Sequence, residues 1–378
     1  MAIEYVEIRG ATDRDLVGIV DDAKSVIWHR MYYGVGDFEV YAPCTPSNVE
    51  LLTEGNYISR LDDEEVGVIE SAIVTYSEED GRMIVATGRF AKSVLDRRII
   101  YRRDGHSVSP TVLSGNVEDA ARKLVNENAI NCTFDAGRNI PELVLGASAG
   151  TSHTIIDETG AAAQKQVTHD NLLTYTDSLL EEYDMGAYCV LNADRKFAYT
   201  VFEGADRSTD NAEGNSPVIF SQDFDNLLSS EYAYDVTALK NTALIGGEGE
   251  GTERFCSVVK NNAVTGLARR EIFVDASRHS KKYKDESNVE KTFTDSEYDA
   301  QLKTIGLQTI SEMERVETFN GEIDVTNGSF VYGKDFFLGD IVTVQDVEIG
   351  LYINPRIVEI TEVQDEDGYH VEAVYGDK

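Results

Sequence analysis

The C-terminal stretch from Gly328 to Tyr375 limits most sharply what this chain can fold into. Gly333-Lys334-Asp335 and Leu338-Gly339-Asp340 interrupt runs of β-branched and aromatic residues, and Asp365-Glu366-Asp367-Gly368 stands between two alternating apolar runs. Such punctuation breaks helices and favours a meander of short antiparallel strands with a tight Asp-Gly hairpin at its tip. From Phe337 to Val344 a turn leads into a strand with Ile341 and Thr343 on one face and Val342 and Val344 on the other. Both faces then need cover, as in the wall of a small barrel.

The N-terminal third has the same texture. Residues 3–8 alternate cleanly, residues 25–30 carry the single tryptophan, Trp28, and residues 36–42 alternate again before Pro43. Thr45 caps a short helical turn. Strands follow over residues 57–61, 66–77 and 83–90, with Glu78-Glu79-Asp80-Gly81 as an acidic hairpin turn. Short strands at regular spacing argue for a barrel or sandwich.

The middle differs. Residues 114–118 open a helix with Val117, Ala121, Leu124 and Val125 on one face, and residues 143–145 form a strand. Residues 146–167, rich in Gly, Ala, Ser and Thr, read as a mobile or partner-ordered loop. Thr168 is expected to cap a second helix burying Leu172, Leu173, Tyr175, Leu179, Leu180 and Tyr183, before a hairpin over residues 187–202. This is a small α+β unit. A polar stretch at 205–217 marks a boundary; strands flank Gly246–Gly251, and another covers residues 269–275. Residues 281–291 read as a charged loop. Thr294 and Glu297 form a capping box for a helix whose Tyr298, Leu302, Ile305, Thr309 and Met313 face inward, ending at Val316.

The expected fold is therefore α+β, mainly β. It comprises an N-terminal β-barrel domain at 1–106, an α+β domain at 107–217, and a second β-barrel at 218–378 with a helical insertion near 294–316. Trp28, Phe38, Phe90, Phe337 and Ile341 are expected in the core.

Acidic residues outnumber basic ones 68 to 34, a net charge of −34, which argues against nucleic-acid binding by phosphate neutralisation. The acid lies in scattered clusters such as Asp62-Asp63-Glu64-Glu65 and Glu181-Glu182, read as solvated turns or as a lumen that does not adhere to DNA. Cys44, Cys132, Cys189 and Cys256 lack metal-ligand spacing and read as buried free thiols. No run approaches the roughly 18 apolar residues of a membrane helix, and the N-terminus reads as a strand, not a signal peptide.

Gly146-Ala147-Ser148-Ala149-Gly150 matches the G-x-S-x-G nucleophile elbow after a strand. The residues that follow read as loop or strand, and the βαβ units of a hydrolase sheet are missing, so a small-residue loop is the better reading. Gly246–Gly251 has no following lysine and carries two glutamates, so it reads as an inter-strand loop, not a phosphate cradle. Neither Asp62–Glu65 nor Asp365–Gly368 has calcium-loop spacing. The six histidines form no i, i+4 pair for zinc.

Taken in order, several segments resemble one family. They are Ser25-Val26-Ile27-Trp28-His29-Arg30 with Tyr32-Tyr33, Gly36-Asp37-Phe38-Glu39-Val40, Gly55-Asn56-Tyr57-Ile58, Gly88-Arg89-Phe90 and Leu95–Ile100. In the second half they are Phe220–Leu228, Gly246–Arg254, Arg269-Arg270-Glu271 and Tyr332–Asp340. Together they resemble the tail-tip or baseplate hub proteins of long-tailed bacteriophages and phage-tail-like particles. That resemblance implies a homotrimer forming a ring of approximate sixfold symmetry, which adapts the sixfold tail tube to a threefold tip. Its implied partners are a distal tail or tail-tube ring, the tape-measure protein, and a spike or fibre below, with DNA passing through without sequence-specific binding. Localisation would be the virion tail, after assembly in the host cytoplasm. Longer relatives carry a C-terminal peptidoglycan hydrolase, for which no room is expected after Tyr375. A structural protein is expected, with no catalytic, cofactor-binding or metal residues and no cofactor. The alternatives are a tail-associated wall hydrolase using Ser148 or a carboxylate pair, and a receptor- or glycan-binding module.

Overall fold

Alternation at the N-terminus sets the first layer of the structure. The computed structural model describes residues 3–156, 161–260, 264–284, 290–311, 313–324 and 329–376. Strands β1 (Val6–Arg9), β2 (Leu16–Val20), β3 (Ser25–Met31), β4 (Asp37–Pro43), β5 (Tyr57–Ser59), β6 (Val66–Ser77) and β7 (Gly81–Phe90) come from the segments whose apolar residues recur every second position. Val6, Ile8, Val26, Trp28, Phe38, Val40 and Ala42 all point inward and are buried, as the period of two requires. Trp28 meets Phe90 edge-on at 4.8 Å and Phe38 at 6.0 Å between ring centroids. At Gly88 the close approach of β6 excludes a side chain: a Cβ would lie 1.8 Å from the Val68 carbonyl oxygen, beside the bulge in β6 at Ile69/Ser71.

The chain divides into two units, one of Met1–Asp157, Ala161–Glu231 and Thr318–Lys378, the other of Tyr232–Glu317. Among the described residues, eleven strands join one open sheet. Its order is Leu227–Asp235, Val316–Ile323, Gly368–Gly376, Arg356–Asp365, β3, β4, β7, β6, β5, β1, β2. The expected pair of closed barrels is thus corrected. The C-terminal hairpin turns at Asp365/Gly368 as its Asp-Gly sequence requires, but it does not close on its own module. Arg356–Asp365 pairs antiparallel with β3, from Glu359 opposite Met31 to Gln364 opposite Val26. Both ends of the sheet stay unjoined.

Beside this sheet, within the first unit, lies the expected α+β part. Helix α1 (Pro46–Leu51) begins at Thr45, whose Oγ1 accepts the Asn48 amide at 3.1 Å. Helix α2 (Val117–Val125) is capped by Asn116 and buries Val117, Ala121, Leu124 and Val125. Helix α3 (Leu172–Glu181) is capped by Asn171, whose Oδ1 accepts the Thr174 amide at 3.1 Å. Thr168, expected to cap α3, has a buried hydroxyl with no hydrogen-bond partner. Asparagine caps as well as threonine, and it stands next to the first helical residue. Strands Gly186–Leu191 and Phe197–Phe202 form the expected hairpin, with Leu143–Leu145 added in parallel. Gln164–Val167, within the stretch read as loop, pairs with Thr111–Ser114.

In the second unit Thr242–Gly246 lies between an antiparallel Cys256–Lys260 and a parallel Glu271–Asp275. Helix α4 (Asp295–Ser311) starts on a reciprocal capping box. The Thr294 amide donates to Glu297 at 2.7 Å, and the Glu297 amide donates to Thr294 Oγ1 at 3.3 Å. Tyr298, Leu302, Gly306 and Ile310 are its buried residues, a strict spacing of four. Ile305 and Thr309 sit half-buried beside that row. The helix stops at Ser311 rather than Val316, where a strand begins. The charged loop at 281–291 is partly a ribbon, Lys282–Lys284 pairing with Glu290–Thr292, while 285–289 fall outside the described residues.

No disulfide forms among the described cysteines: Cys132 and Cys189 are buried, Cys44 is half-buried, and Cys256 is exposed, against the buried reading. Ile341 is buried as expected, but Phe337 is 42% exposed and its neighbour Phe336 takes the core position instead. Phe336 meets Phe220 edge-on at 5.2 Å, whereas Phe337 sits on the surface with the Arg207 guanidinium over its ring at 5.8 Å. Phe336→Ala is therefore expected to cost about 3–5 kcal/mol of stability. Phe337→Ala should cost under about 1.5 kcal/mol; chemical denaturation of the two variants checks this.

Candidate functional site: a cleft of paired charges

Arg30 follows Trp28 by two positions on β3, so the sheet's alternation turns a guanidinium toward the side where the indole is buried. Its Nε donates to Glu65 Oε2 at 2.6 Å, its Nη1 to the Tyr332 hydroxyl at 3.1 Å, and Asp63 lies 3.6 Å away. The Trp28 Nε1–H donates to the same Asp63 carboxylate at 3.0 Å. Between β5 and β6, Arg60 projects across the first unit and grips Glu362 with two hydrogen bonds of 3.0 Å each, holding Asp62 at 2.9 and 3.0 Å. The Tyr369 hydroxyl donates to Glu362 at 2.5 Å.

Arg30, Arg60, Asp62, Asp63, Glu362 and Tyr369 line a cleft of about 890 Å³, to which the turn at 331–340 also contributes. There Asp340 accepts the Arg207 guanidinium at 2.7 Å and the amides of Ala205 and Phe337 at 2.8 and 2.9 Å. Gly339 makes this turn possible. Its φ is +90°, and a Cβ would lie 2.3 Å from the Tyr32 ring. Arg356 donates to the Gly339 carbonyl at 2.7 Å.

The electrostatics follow from burial and pairing. Burial works against the Arg60 charge, yet Glu362 and Asp62 hold its pKa above the ordinary guanidinium value. Burial pushes the Glu65 carboxyl up, opposed by Arg30. Burial, and then the Glu362 charge, raises Tyr369 well above an ordinary phenol; burial likewise raises Tyr332, and pushes Tyr32 up to about 12. A general base needs a free lone pair near neutrality. Here the central carboxylates are engaged by arginines and the phenols stay protonated. The arrangement fastens distant segments together.

The acidic turn at 62–65 differs from its sequence reading. Asp63 and Glu65 face inward as partners of Arg30, while Asp62 and Glu64 are exposed as the solvated reading expects, Asp62 also meeting Arg60. A clue was present: Arg30 shares its strand face with Trp28, and a charge on an inward face demands a partner. Asp365–Gly368 is a turn, its Asp365 accepting the Asp367 and Gly368 amides at 2.9 and 3.2 Å.

At the elbow match the amides of Ala149, Gly150 and Thr151 converge on the Glu118 carboxylate at 2.8, 3.0 and 3.2 Å. The loop wraps a carboxylate of its own chain, and the Ser148 hydroxyl receives the Gly150 amide at 3.2 Å. His153 is 3.1 Å from Glu203. Ser148 thus helps hold the buried Glu118 carboxylate, and in these contacts His153 meets Glu203 and not Ser148. The Gly246–Gly251 loop is closed by Arg254, which donates to the Gly246 and Gly247 carbonyls at 2.9 and 3.1 Å, so it is an inter-strand loop. Among the described residues no group of three His, Cys, Asp or Glu could hold a metal ion, and no helix is long and apolar enough to cross a membrane.

The family model for the Siphovirus ReqiPepy6 Gp37-like protein matches residues 5–377. No curated protein sequence matches the chain. Among solved structures, the chain is similar to the 43 kDa tail protein of prophage MuSo2 from Shewanella oneidensis. That match has a TM-score of 0.59 and 10% identity, covering 99% of this chain and 98% of that one. It is also similar to the tail protein from Neisseria meningitidis MC58, with a TM-score of 0.55, 14% identity, and 99% and 96% coverage. At these identities the likeness is one of fold.

Removing one partner of the Arg60–Glu362 pair strands a buried charge. Arg60→Met is expected to cost about 3–5 kcal/mol, while Arg60→Met combined with Glu362→Leu should recover most of it; urea titrations of the single and double variants decide. At Glu118, burial would raise the carboxyl pKa, but the Ala149 amide, Ser148 and the Thr151 and Gly150 amides hold it below its ordinary value. A depressed carboxylate contributes stability above its unfolded pKa and loses it as pH falls through the folded one. Glu118→Gln should therefore cost about 1–3 kcal/mol at pH 7, and the gap to the parent protein should shrink below about pH 4.5, read by thermal melts across pH.

Proposed function

Because the chain belongs to the Siphovirus ReqiPepy6 Gp37-like protein family, a family of phage tail proteins, we propose that it is the structural hub of a tail tip or baseplate. In this reading three copies form a ring that adapts the sixfold tail tube to a threefold tip. The ring surrounds part of the channel for DNA and the tape-measure protein, and carries a spike or fibre below. Residues 1–106 and 218–378 supply the β-rich parts of the ring, and residues 107–217 the α+β flank.

The match along residues 5–377 is the observation that carries this reading. Three features support it. The open sheet presents β2 as an edge with Leu16, Val17 and Ile19 exposed, which is what strand addition between copies uses. In the cleft Arg30, Arg60 and Arg207 pair with carboxylates from other segments, which suits a protein that acts by assembly. An excess of 34 negative charges would let DNA slide past without adhering.

Negative-stain imaging of the particle, with the chain located by antibody, tests the proposal. Label at the distal end of the tail is expected. Label on the shaft or head, or clearing of purified cell wall that Ser148→Ala abolishes, would contradict it.

A further inference from the structure

Two exposed hairpins of the first unit carry opposite charge. The first is a ribbon of Arg102–Asp104 paired with Ser107–Ser109, every residue of which is exposed. It bears Arg102, Arg103 and His106, and beside it stand Arg97, Arg98 and Arg138. Among the described residues none of these five arginines is ion-paired to a carboxylate; Arg98 and Arg103 donate only to backbone carbonyls. Arg138 is 9% exposed, stacks over the Tyr101 ring at 4.1 Å, and leaves its Nη1 without a hydrogen-bond partner. Burial, then repulsion from Arg138 and Arg97, lowers the Arg98 pKa, as expected of like charges gathered without a counterion. A hollow of about 380 Å³ opens at the root of the ribbon between Tyr101, Arg103, Phe134 and Asp135.

The second is the far half of the β6–β7 hairpin. From Glu70 to Asp80 every residue is exposed, including Ile73, Val74 and Tyr76. Its tip carries Glu78 and Glu79, neither ion-paired among the described residues, while Asp80 is held by Lys24. Ile99 and Val108 provide exposed apolar surface at the basic ribbon as well.

We propose that the basic ribbon at 102–109 of one copy docks on the acidic β6–β7 tip of a second copy of this chain. The occupant is argued from charge complementarity. A chain with a net charge of −34 repels its own copies, and this is a place where unpaired positive charge is concentrated on its surface. Two different patches meeting head to tail make a heterologous contact, the kind that closes rings. The inference rests on the ring of copies proposed above and names one of its contacts.

Sedimentation velocity of the full chain at about 50 mM and 500 mM salt provides the test, with duplex DNA retention measured alongside. Attraction between exposed charges weakens with salt, so the parent chain should associate at low salt and less at high salt. R102E/R103E and E78K/E79K should each weaken association by at least about tenfold. The combined fourfold variant, with the charges exchanged, should restore it, which also shows that the variants fold. A parent chain that stays monomeric at low salt, association untouched by either reversal, or a fourfold variant that does not recover would overturn the docking and leave the tail reading standing. DNA retained by the parent chain and released by R102E/R103E would assign the ribbon to nucleic acid and overturn it too.

Discussion

The first unit depends on the antiparallel pairing of β3 with Arg356–Asp365, which joins residues more than three hundred positions apart. Without it the N-terminal strands and the C-terminal hairpin would each end on an open edge, and neither is large enough to shield Trp28 on its own. Closing so long a loop is slow, but its entropy grows only with the logarithm of length, so a modest gain in buried surface outweighs it. The register is fixed by chemistry as well as by packing. Ile360 and Glu362 share the inward face of the strand, and Glu362 is held in the fork of Arg60. A slip of one residue would turn Ile360 outward and remove the carboxylate from its partner. The ion pair therefore selects one pairing, a role for which buried charges suit better than for net stability.

The same logic runs through the cleft. Arg30, Arg60, Arg207 and Arg356 each come from a different segment and each closes on a carboxylate or carbonyl from another. Charge pairs that reach across the fold resist shear in a way that apolar contacts, which slide, do not, and this rigidity is what the proposed hub role would call on. At the surface the balance reverses: carboxylates dominate and largely face water, keeping the chain soluble.

Much of this was legible in the sequence. The period of two gave the strands, the Asp-Gly turn at Gly368 gave the last hairpin, and Thr294 with Glu297 announced α4, because each of these signals is local. What stayed hidden was long-range. Nothing near Asp365 says that its hairpin will join β3 and not close a barrel of its own, so the expected barrels became one open sheet. Phe336 and Phe337 are chemically alike, and only the turn at Gly339 decides which points inward. Within the acidic run at 62–65, Asp63 and Glu65 looked solvated because their partner Arg30 lies elsewhere, on β3. The inward parity of Arg30 with Trp28 was the one local hint. Ser148 matched a catalytic pattern in sequence, but the loop amides it belongs to are occupied by Glu118.

Native-state hydrogen exchange resolved to single amides tests the central claim, that the two ends of the chain fold as one sheet. The account predicts that amides of β3 and of Arg356–Asp365 are protected to the same degree and open together, as one cooperative element. A C-terminal hairpin that exchanges independently, and far faster than β3, would contradict it.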